Sequence, residues 1–487
     1  MSLLIGRKAE IKILKEFLYS ESAEFLAIYG RRRVGKTFLM RTFFTEKKVV
    51  FFDITGSKEA ALKVQLRHFA QQVGKVFFRG ARLEPGKNWD ETFESLTQAI
   101  QTVKNNKKIV LFLDEFPWLA TKNSRLLETL DYYWNQHWSR NNRVKLIICG
   151  SSASWIINKI ICDKGGLHNR LTRSIHLQPL NLLEVKEFLT SLSINLTDKQ
   201  IVEIFMVMGG IPFYLNKLER NLSATQLIEH LAFKQNSFLL QEFNNLFAAL
   251  FKEADIYLAL IKTIASSHSG ILQEELLKKM GKTLQGKGGI EKLKALQDTD
   301  FIISFKPHLH KRRGVYYKLI DEYCLFYLYW IEPISNTLLS RNLIAGYWDK
   351  LKTQPSWYSW AGLAFESICY KHLPEITKAL ALSPTAIPTT WRYIPRQGSE
   401  ERGAQIDLLF DRDDDTITIC EIKYSDKPFV ITKDYAEILK QKLAIFKRVT
   451  KTSKQLFIAI ISANGLKKNV YSDQLVNNVV TLQDFFV

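Results

Sequence analysis

The segment Gly30-Arg31-Arg32-Arg33-Val34-Gly35-Lys36-Thr37 constrains this chain more than any other. It fits G-x-x-x-x-G-K-[ST] at every fixed position, behind a short apolar run and ahead of a helical pattern. Glycines let the backbone curl until its N–H groups converge on phosphate oxygens, and the N-terminus of the following helix adds positive potential. The expected ligand is ATP with Mg²⁺, cradled by Gly30, Arg33, Val34 and Gly35. Lys36 supplies a charge to the outer phosphates and the Thr37 hydroxyl binds the metal. The three consecutive arginines read either as extra phosphate or nucleic-acid contacts or as a solvated loop edge, and the solvated edge is preferred.

The surrounding pattern agrees with such a site. Phe25–Tyr29, Val49–Ile54, Ile109–Leu113 and Lys145–Cys149 are short runs rich in branched and aromatic residues, separated by helical periodicity. That alternation predicts an α/β fold, a parallel sheet covered by helices, over residues 1–180. The third run ends in Asp114-Glu115. Asp114 is expected to hold the Mg²⁺ water shell and Glu115 to polarise the attacking water as general base. The fourth ends in Gly150-Ser151-Ser152, where Ser151 or Ser152 can sense the γ-phosphate. Arg170 and Arg173 are two further candidates for a transition-state phosphate, in cis or from a neighbouring subunit.

Residues 181–250 are helical in pattern, broken at Gly209-Gly210-Ile211-Pro212, and read as a lid. Residues 251–333 show three helical segments and then two strand-like runs, the outline of a winged helix. Lys287, Lys292 and Lys294 lie on or beside its third helix, and Lys306, His308, His310, Lys311, Arg312 and Arg313 on the hairpin. Those cations suit DNA phosphates, although such a module can also serve only as a packing element of the switch. Residues 334–358 form a helical connector, and 359–487 a separate small α/β domain.

Within that last domain Asp407 interrupts an apolar run, and Glu421 and Lys423 fall on one face of the next because the side-chain period of a strand is two. Two carboxylates on neighbouring strands can bind Mg²⁺ or Mn²⁺, and a lysine beside them can orient water for attack on a phosphodiester. Glu366, on the preceding helix, can add a third carboxylate, and Gln441 and Lys442 can assist substrate contact.

Charge points to partners. Lysine and arginine number 68 against 49 acids among 487 residues, a net +19 that favours a polyanion: DNA, or RNA by the same argument. No apolar run is long enough for a membrane span, the start does not read as a signal peptide, and the five cysteines read as reduced core residues, so a cytoplasmic protein without a membrane partner is expected.

Ile5-Gly6-Arg7-Lys8-Ala9-Glu10, the Gly30–Thr37 loop, Leu113–Phe116, Gly150-Ser151-Ser152 and Gly209–Leu215 together resemble the archaeal/prokaryotic ATPase family of the STAND clade, close to AAA+ ATPases. The resemblance covers about residues 1–330. It implies a P-loop core followed by a helical lid and a winged helix, with Pro212 packed on the adenine and Ile5 and Gly6 lining the same pocket. No arginine directly follows Ser152, where some STAND relatives carry a sensor, so the sensing arginine is left open between Arg170 and Arg173. The C-terminal pattern resembles the PD-(D/E)xK nuclease superfamily, whose four roles would fall on Glu366, Asp407, Glu421 and Lys423. The resulting expectation is an ATP-hydrolysing, DNA-associated nucleotide switch, with a homo-oligomer among its expected assemblies and a metal-dependent nuclease-like domain. The alternative is a regulatory or scaffold ATPase whose C-terminal domain binds without cutting.

Overall fold

Four runs of branched and aromatic residues become strands of one parallel sheet: β1 (Glu24–Tyr29), β2 (Val50–Thr55), β3 (Ile109–Asp114) and β4 (Val144–Gly150). A fifth, β5 (Arg173–His176), joins the edge beside β1, giving the order β2-β3-β4-β1-β5. Every residue of β3 and β4 is buried, as continuous apolar runs in a parallel sheet covered on both faces require. The computed structural model describes residues 4–104, 106–161, 167–281, 284, 286–308, 314–340, 343–395, 398 and 401–487. The chain divides into two compact units, one ending at Pro179 and one running from Leu180 to Val487.

The order of the first sheet decides what meets what. β4 lies between β1 and β3, so its C-terminal end separates the loop after β1 from the acids after β3. In parallel sheets ligands bind at the carboxyl ends of the strands, and all three of these ends point the same way. The core beneath them is aromatic: Phe52, Phe69, Trp89, Phe93, Tyr133 and Trp138 pack in one cluster.

The second unit opens with helices Leu182–Ser191 and Asp198–Met208, each started by a capping box, Asn181 with Glu184 and Thr197 with Gln200. The second ends at Gly209, and Gly210 is required by close approach: a Cβ there would lie 1.7 Å from the Leu180 carbonyl oxygen. Helices Ala224–Ala232 and Phe238–Leu250 follow. Helices Ala254–Ala265, Gln273–Lys279 and Lys287–Asp298 then accompany an antiparallel sheet of β6 (Ile271–Leu272), β7 (Ile302–Phe305) and β8 (Tyr316–Leu319), in the order β6-β8-β7.

The chain continues through helix Pro355–Lys371 into a mixed sheet: β9 (Ile387–Tyr393), β10 (Ala404–Asp411), β11 (Thr416–Lys423), β12 (Gln455–Ser462) and β13 (Asn478–Val480). β9, β10 and β11 are antiparallel, whereas β12 and β13 add in parallel after helix Lys433–Thr450. The four described cysteines, Cys149, Cys324, Cys369 and Cys420, are buried and unbridged, and Cys162 lies outside the described residues. Among the described residues no helix is long and apolar enough to cross a membrane.

Candidate functional sites

The loop after β1 adopts the curl its glycines allow. Gly30 has φ +137°, and a Cβ there would lie 2.5 Å from the Leu177 carbonyl oxygen, while Gly35 at φ +95° starts helix Lys36–Thr45. Arg33 holds a left-handed φ of 74°. The Lys36 ammonium is buried in the concavity, donating to the carbonyls of Gly30 at 2.9 Å and Arg31 at 2.8 Å. Burial lowers its pKa, against the pull of Glu115 and Asp114 upward. The Thr37 hydroxyl donates to the Asp114 carboxylate at 3.0–3.1 Å, and the Thr55 hydroxyl reaches the same group at 3.2 Å. A hydroxyl and a carboxylate so placed form a suitable oxygen donor set for Mg²⁺.

Glu115 follows directly, with φ +45°. Its carboxylate accepts from the Ser151 hydroxyl at 2.6 Å and from the Ser151 N–H at 3.2 Å. Of the two serines named from sequence, Ser151 is therefore the one joined to the acid; Ser152 only precedes the short helix Ala153–Ile156, with no capping bond from its side chain. Gly6 and Arg7 take left-handed backbone, and the buried Arg7 guanidinium donates to the carbonyls of Gln178 at 2.6 Å and Val34 at 3.1 Å. Ile5 and Gly6 are thereby tied to the loop by Arg7, a residue whose role the sequence reading missed. The expectation of a solvated arginine edge fails at Arg31, which is only 2% exposed, because the curled loop turns that side chain inward.

The two candidate arginines are not brought to the loop. Arg173 starts β5 and pairs with Glu16 and Glu24. Arg170 faces Asp131 at 3.8 Å, and Thr172, two residues on, bonds to Phe25 near the start of β1. Phe25 is about 16 Å of extended strand from Gly30. Pro212, at the first position of helix Pro212–Leu215, belongs to the second unit.

The second carboxylate set assembles in the C-terminal sheet. The β10–β11 pairing ends at Leu408 with Cys420, leaving Asp407 and Glu421 next along the two neighbouring strands, and the β9–β10 register shifts between Ile406 and Leu409, around Asp407. Such irregularities re-aim side chains. Glu421 is buried and accepts from Lys442 at 2.6 Å, Tyr435 at 2.7 Å and Lys423 at 2.9 Å. Burial pushes its pKa up, but the two lysines and the tyrosine outweigh it and hold the carboxyl at about 2. Gln405 donates to Asp407 at 2.6 Å. Glu366 is buried too and takes the Lys318 ammonium at 2.5 Å, with the Tyr370 hydroxyl 3.1 Å away; its pKa is raised by burial, which Lys318 only partly offsets. The donors are hard oxygens, yet among the described residues no three His, Cys, Asp or Glu side chains stand close enough to hold a metal ion, and lysines pair with Glu366 and Glu421. Beside Asp407 opens a groove of about 490 Å³ lined by Arg402, Gln405, Gln441 and Lys442.

The cations named for DNA contact divide. Lys287 is exposed, but Lys292 pairs with Glu253 at 2.5 Å. Lys306 is exposed, whereas His308 turns onto protein: its N–H donates to Thr390 at 2.7 Å and its ring lies over Phe446. His310, Lys311, Arg312 and Arg313 lie outside the described residues.

A curled loop with a buried lysine, a threonine–aspartate pair and an adjacent glutamate, at the carboxyl ends of a parallel sheet, defines a P-loop ATPase core. Residues 4–218 match the family model of an ATPase domain predominantly from Archaea. The chain is also similar to an uncharacterized protein of Methanocaldococcus jannaschii, 26% identical over 446 residues, spanning 90% of this chain and 92% of the relative. Among solved structures it resembles a Walker-type ATPase of Pyrococcus abyssi, at 20% identity and TM-score 0.46, covering 67% of this chain and 96% of that one. It also resembles the Aeropyrum pernix ORC2 protein, solved as ADPNP and ADP complexes, at 14% identity and TM-score 0.43, covering 70% and 95%.

Proposed function

We propose that this ATPase is a nucleotide switch that acts on DNA and carries a metal-dependent nuclease-like centre in its C-terminal domain. In the first unit Lys36 binds the outer phosphates, Thr37 and Asp114 would hold Mg²⁺, and Glu115, fixed by Ser151, takes the proton of the attacking water. Ile5 and Gly6 serve the adenine. Arg170 reaches a γ-phosphate only from a neighbouring copy, which makes a homo-oligomer part of this reading. Residues 181–250 act as lid, 251–333 as winged helix and 334–358 as connector, in a cytoplasmic setting.

The observation that carries the nuclease reading is Asp407 and Glu421 on the neighbouring strands β10 and β11, each next to the Leu408–Cys420 pair, with Lys423 beside Glu421. A divalent cation bound there supplies charge stabilisation and an activated water. Asp407, Glu421 and Glu366 would be its ligands. Lys423 orients the water, and Arg402, Gln441 and Lys442 receive the phosphate backbone in the groove. The net charge of +19 supports a polyanionic substrate.

The test is nicking of supercoiled DNA with Mn²⁺, with and without ATP. Cleavage by the native chain that disappears in Glu421→Ala and Lys423→Ala supports the proposal; equal cleavage in all three sinks it. A second reading, a regulatory ATPase that binds nucleic acid or protein without cutting, is favoured by the lysines that already neutralise Glu366 and Glu421. Binding of DNA with no cleavage under any metal selects it.

A further inference from the structure

We propose that the outer face of helix Leu62–Phe77 is a contact surface for the phosphate backbone of duplex DNA, placed so that DNA held there bears on the ATP site. The inference rests on the reading that the chain acts on DNA, and it needs no metal in the C-terminal domain.

The 24 residues between Glu59 and Glu84 hold Lys63, Arg67, Lys75, Arg79 and Arg82 and no acid. The helix decides how the first three are displayed. Gln65, Leu66, Phe69, Ala70 and Val73 are its buried side, so Lys63, Arg67, Gln71 and Lys75, each four residues from the last, form one exposed row. Arg41, on helix Lys36–Thr45, has Asp53 as its partner at 2.9 Å. Lys63, Arg67 and Lys75 have no such acid: among the described residues none of the three makes an ion pair. Helix Trp89–Gln101 does carry acids, but Glu91 accepts from the Lys87 N–H at 2.8 Å and Glu94 from the Tyr133 hydroxyl at 3.2 Å. Like charges one helical turn apart repel each other, and a polyanion laid along the row removes that cost.

The row suits a duplex. From Lys63 to Lys75 it runs about 18 Å, a length over which duplex DNA presents about ten phosphates. It holds no Phe, Tyr or Trp on which the base of a single strand would stack. Its base is also joined to the acids of the ATP site. The Thr55 hydroxyl lies 3.2 Å from the Asp114 carboxylate, and the Gly56 N–H donates to the Asp114 carbonyl at 2.9 Å. Gln65, on the helix itself, donates to the carbonyls of Ser57 at 2.7 Å and Trp118 at 3.2 Å, and the Trp118 N–H donates to the Glu115 carbonyl at 2.9 Å. A load on this helix therefore reaches Asp114 and Glu115 through short hydrogen-bonded steps.

The experiment is binding of a fluorescent DNA duplex to the full chain in EDTA, at several salt concentrations. The triple variant Lys63→Ala, Arg67→Ala, Lys75→Ala is expected to bind at least tenfold more weakly. Its salt slope should fall by about two to three, since each phosphate contact contributes about 0.9. Alanine keeps the helix, so melting temperature and ATP affinity should not change. A second triple variant, with alanine at Lys12, Lys15 and Lys122, removes the same charge from exposed positions elsewhere in the first unit and should keep most of the affinity. Equal affinity and slope in the native chain and the first variant overturns the surface and leaves the DNA reading standing, as does an equal loss in both variants. No duplex binding by the native chain overturns both. Polyglutamate that competes as well as unlabelled duplex replaces DNA with an acidic protein partner and overturns the proposal. With Mg²⁺ and saturating ATP, DNA should alter the turnover of the native chain and not that of the first variant. Turnover indifferent to bound DNA in the native chain removes the link to the ATP site.

Discussion

Ser151 grips Glu115 twice, through its hydroxyl at 2.6 Å and its backbone N–H at 3.2 Å. The grip follows from the strand order. β4 lies between β1 and β3, so the residue after it must stand between the phosphate loop and the acid that follows Asp114. Glu115 leaves the strand with φ +45°, and Ser151 fixes where its carboxylate then points. Ser151→Ala is expected to bind ATP as the native chain does and to hydrolyse it about tenfold more slowly. Glu115→Gln should lose about 10²–10⁴-fold, the usual contribution of a general base. Nucleotide titration and steady-state turnover measure both; unchanged turnover in Glu115→Gln removes the assignment.

Arg7 gives the second prediction. Its buried guanidinium holds the Gln178 and Val34 carbonyls together, and Val34 lies inside the phosphate loop. Arg7→Ala leaves two carbonyls without that donor, at a cost of about 1–3 kcal/mol. The first unit should melt at lower temperature and ATP should bind more weakly, with saturated turnover nearly kept. An unchanged Kd for ATP would show that the loop holds its shape without Arg7.

What could be read from the chain depended on whether a residue's partner was near in sequence. The Gly30–Thr37 loop and Asp114-Glu115 carry their chemistry in fixed spacing, and their strands were legible as unbroken apolar runs. Arg7 and Arg31 look like solvated charges on paper, and only the closed loop buries them. β5, Arg-Ser-Ile-His, has one apolar residue and draws its stability from pairing with β1. β9 has proline at its second position, which an edge strand tolerates and a sequence pattern does not advertise. Lys318 was not singled out, since its partner Glu366 lies 48 positions away. Asp407, Glu421 and Lys423 were legible because charges within apolar strands need partners. The lysine and tyrosine partners of Glu421 come largely from helix Lys433–Thr450, which the pattern showed only as a helix.

His372 predicts a pH dependence within the second unit. The Leu182 N–H donates to its Nε2 at 3.1 Å, and its Nδ1 lies 2.8 Å from the Ile368 carbonyl, an arrangement suited to the neutral ring. Burial pushes the pKa from 6.5 to about 4, with Lys371 acting in the same sense. Between those values the unfolded chain binds the extra proton and the folded chain does not, so stability is full above about 6.5 and falls as pH drops towards 4. The full shift is at most about 3 kcal/mol. Urea midpoints at pH 7.5 and pH 5 should differ in that direction, and His372→Asn, which keeps a donor and an acceptor but does not titrate, should flatten the difference.

Glu421 carries the last prediction, because structure and chemistry ask different things of it. Its carboxyl, held at about 2 against an ordinary 4.5, gives stability that is complete above about 4.5 and lost as pH falls towards 2. Glu421→Gln should therefore destabilise the chain at pH 7 by about 1–3 kcal/mol, discounted for the partial exposure of Lys423, and the difference should vanish near pH 2. Glu421→Asp keeps the charge but shortens the side chain by one methylene, drawing it away from Lys442 and Tyr435. It should recover much of the stability while Mn²⁺-dependent nicking stays impaired, since metal coordination is less tolerant of ligand placement than an ion pair. Stability and nicking that return together in Glu421→Asp would mean that the glutamate serves the fold, and the nuclease reading would lose its central ligand.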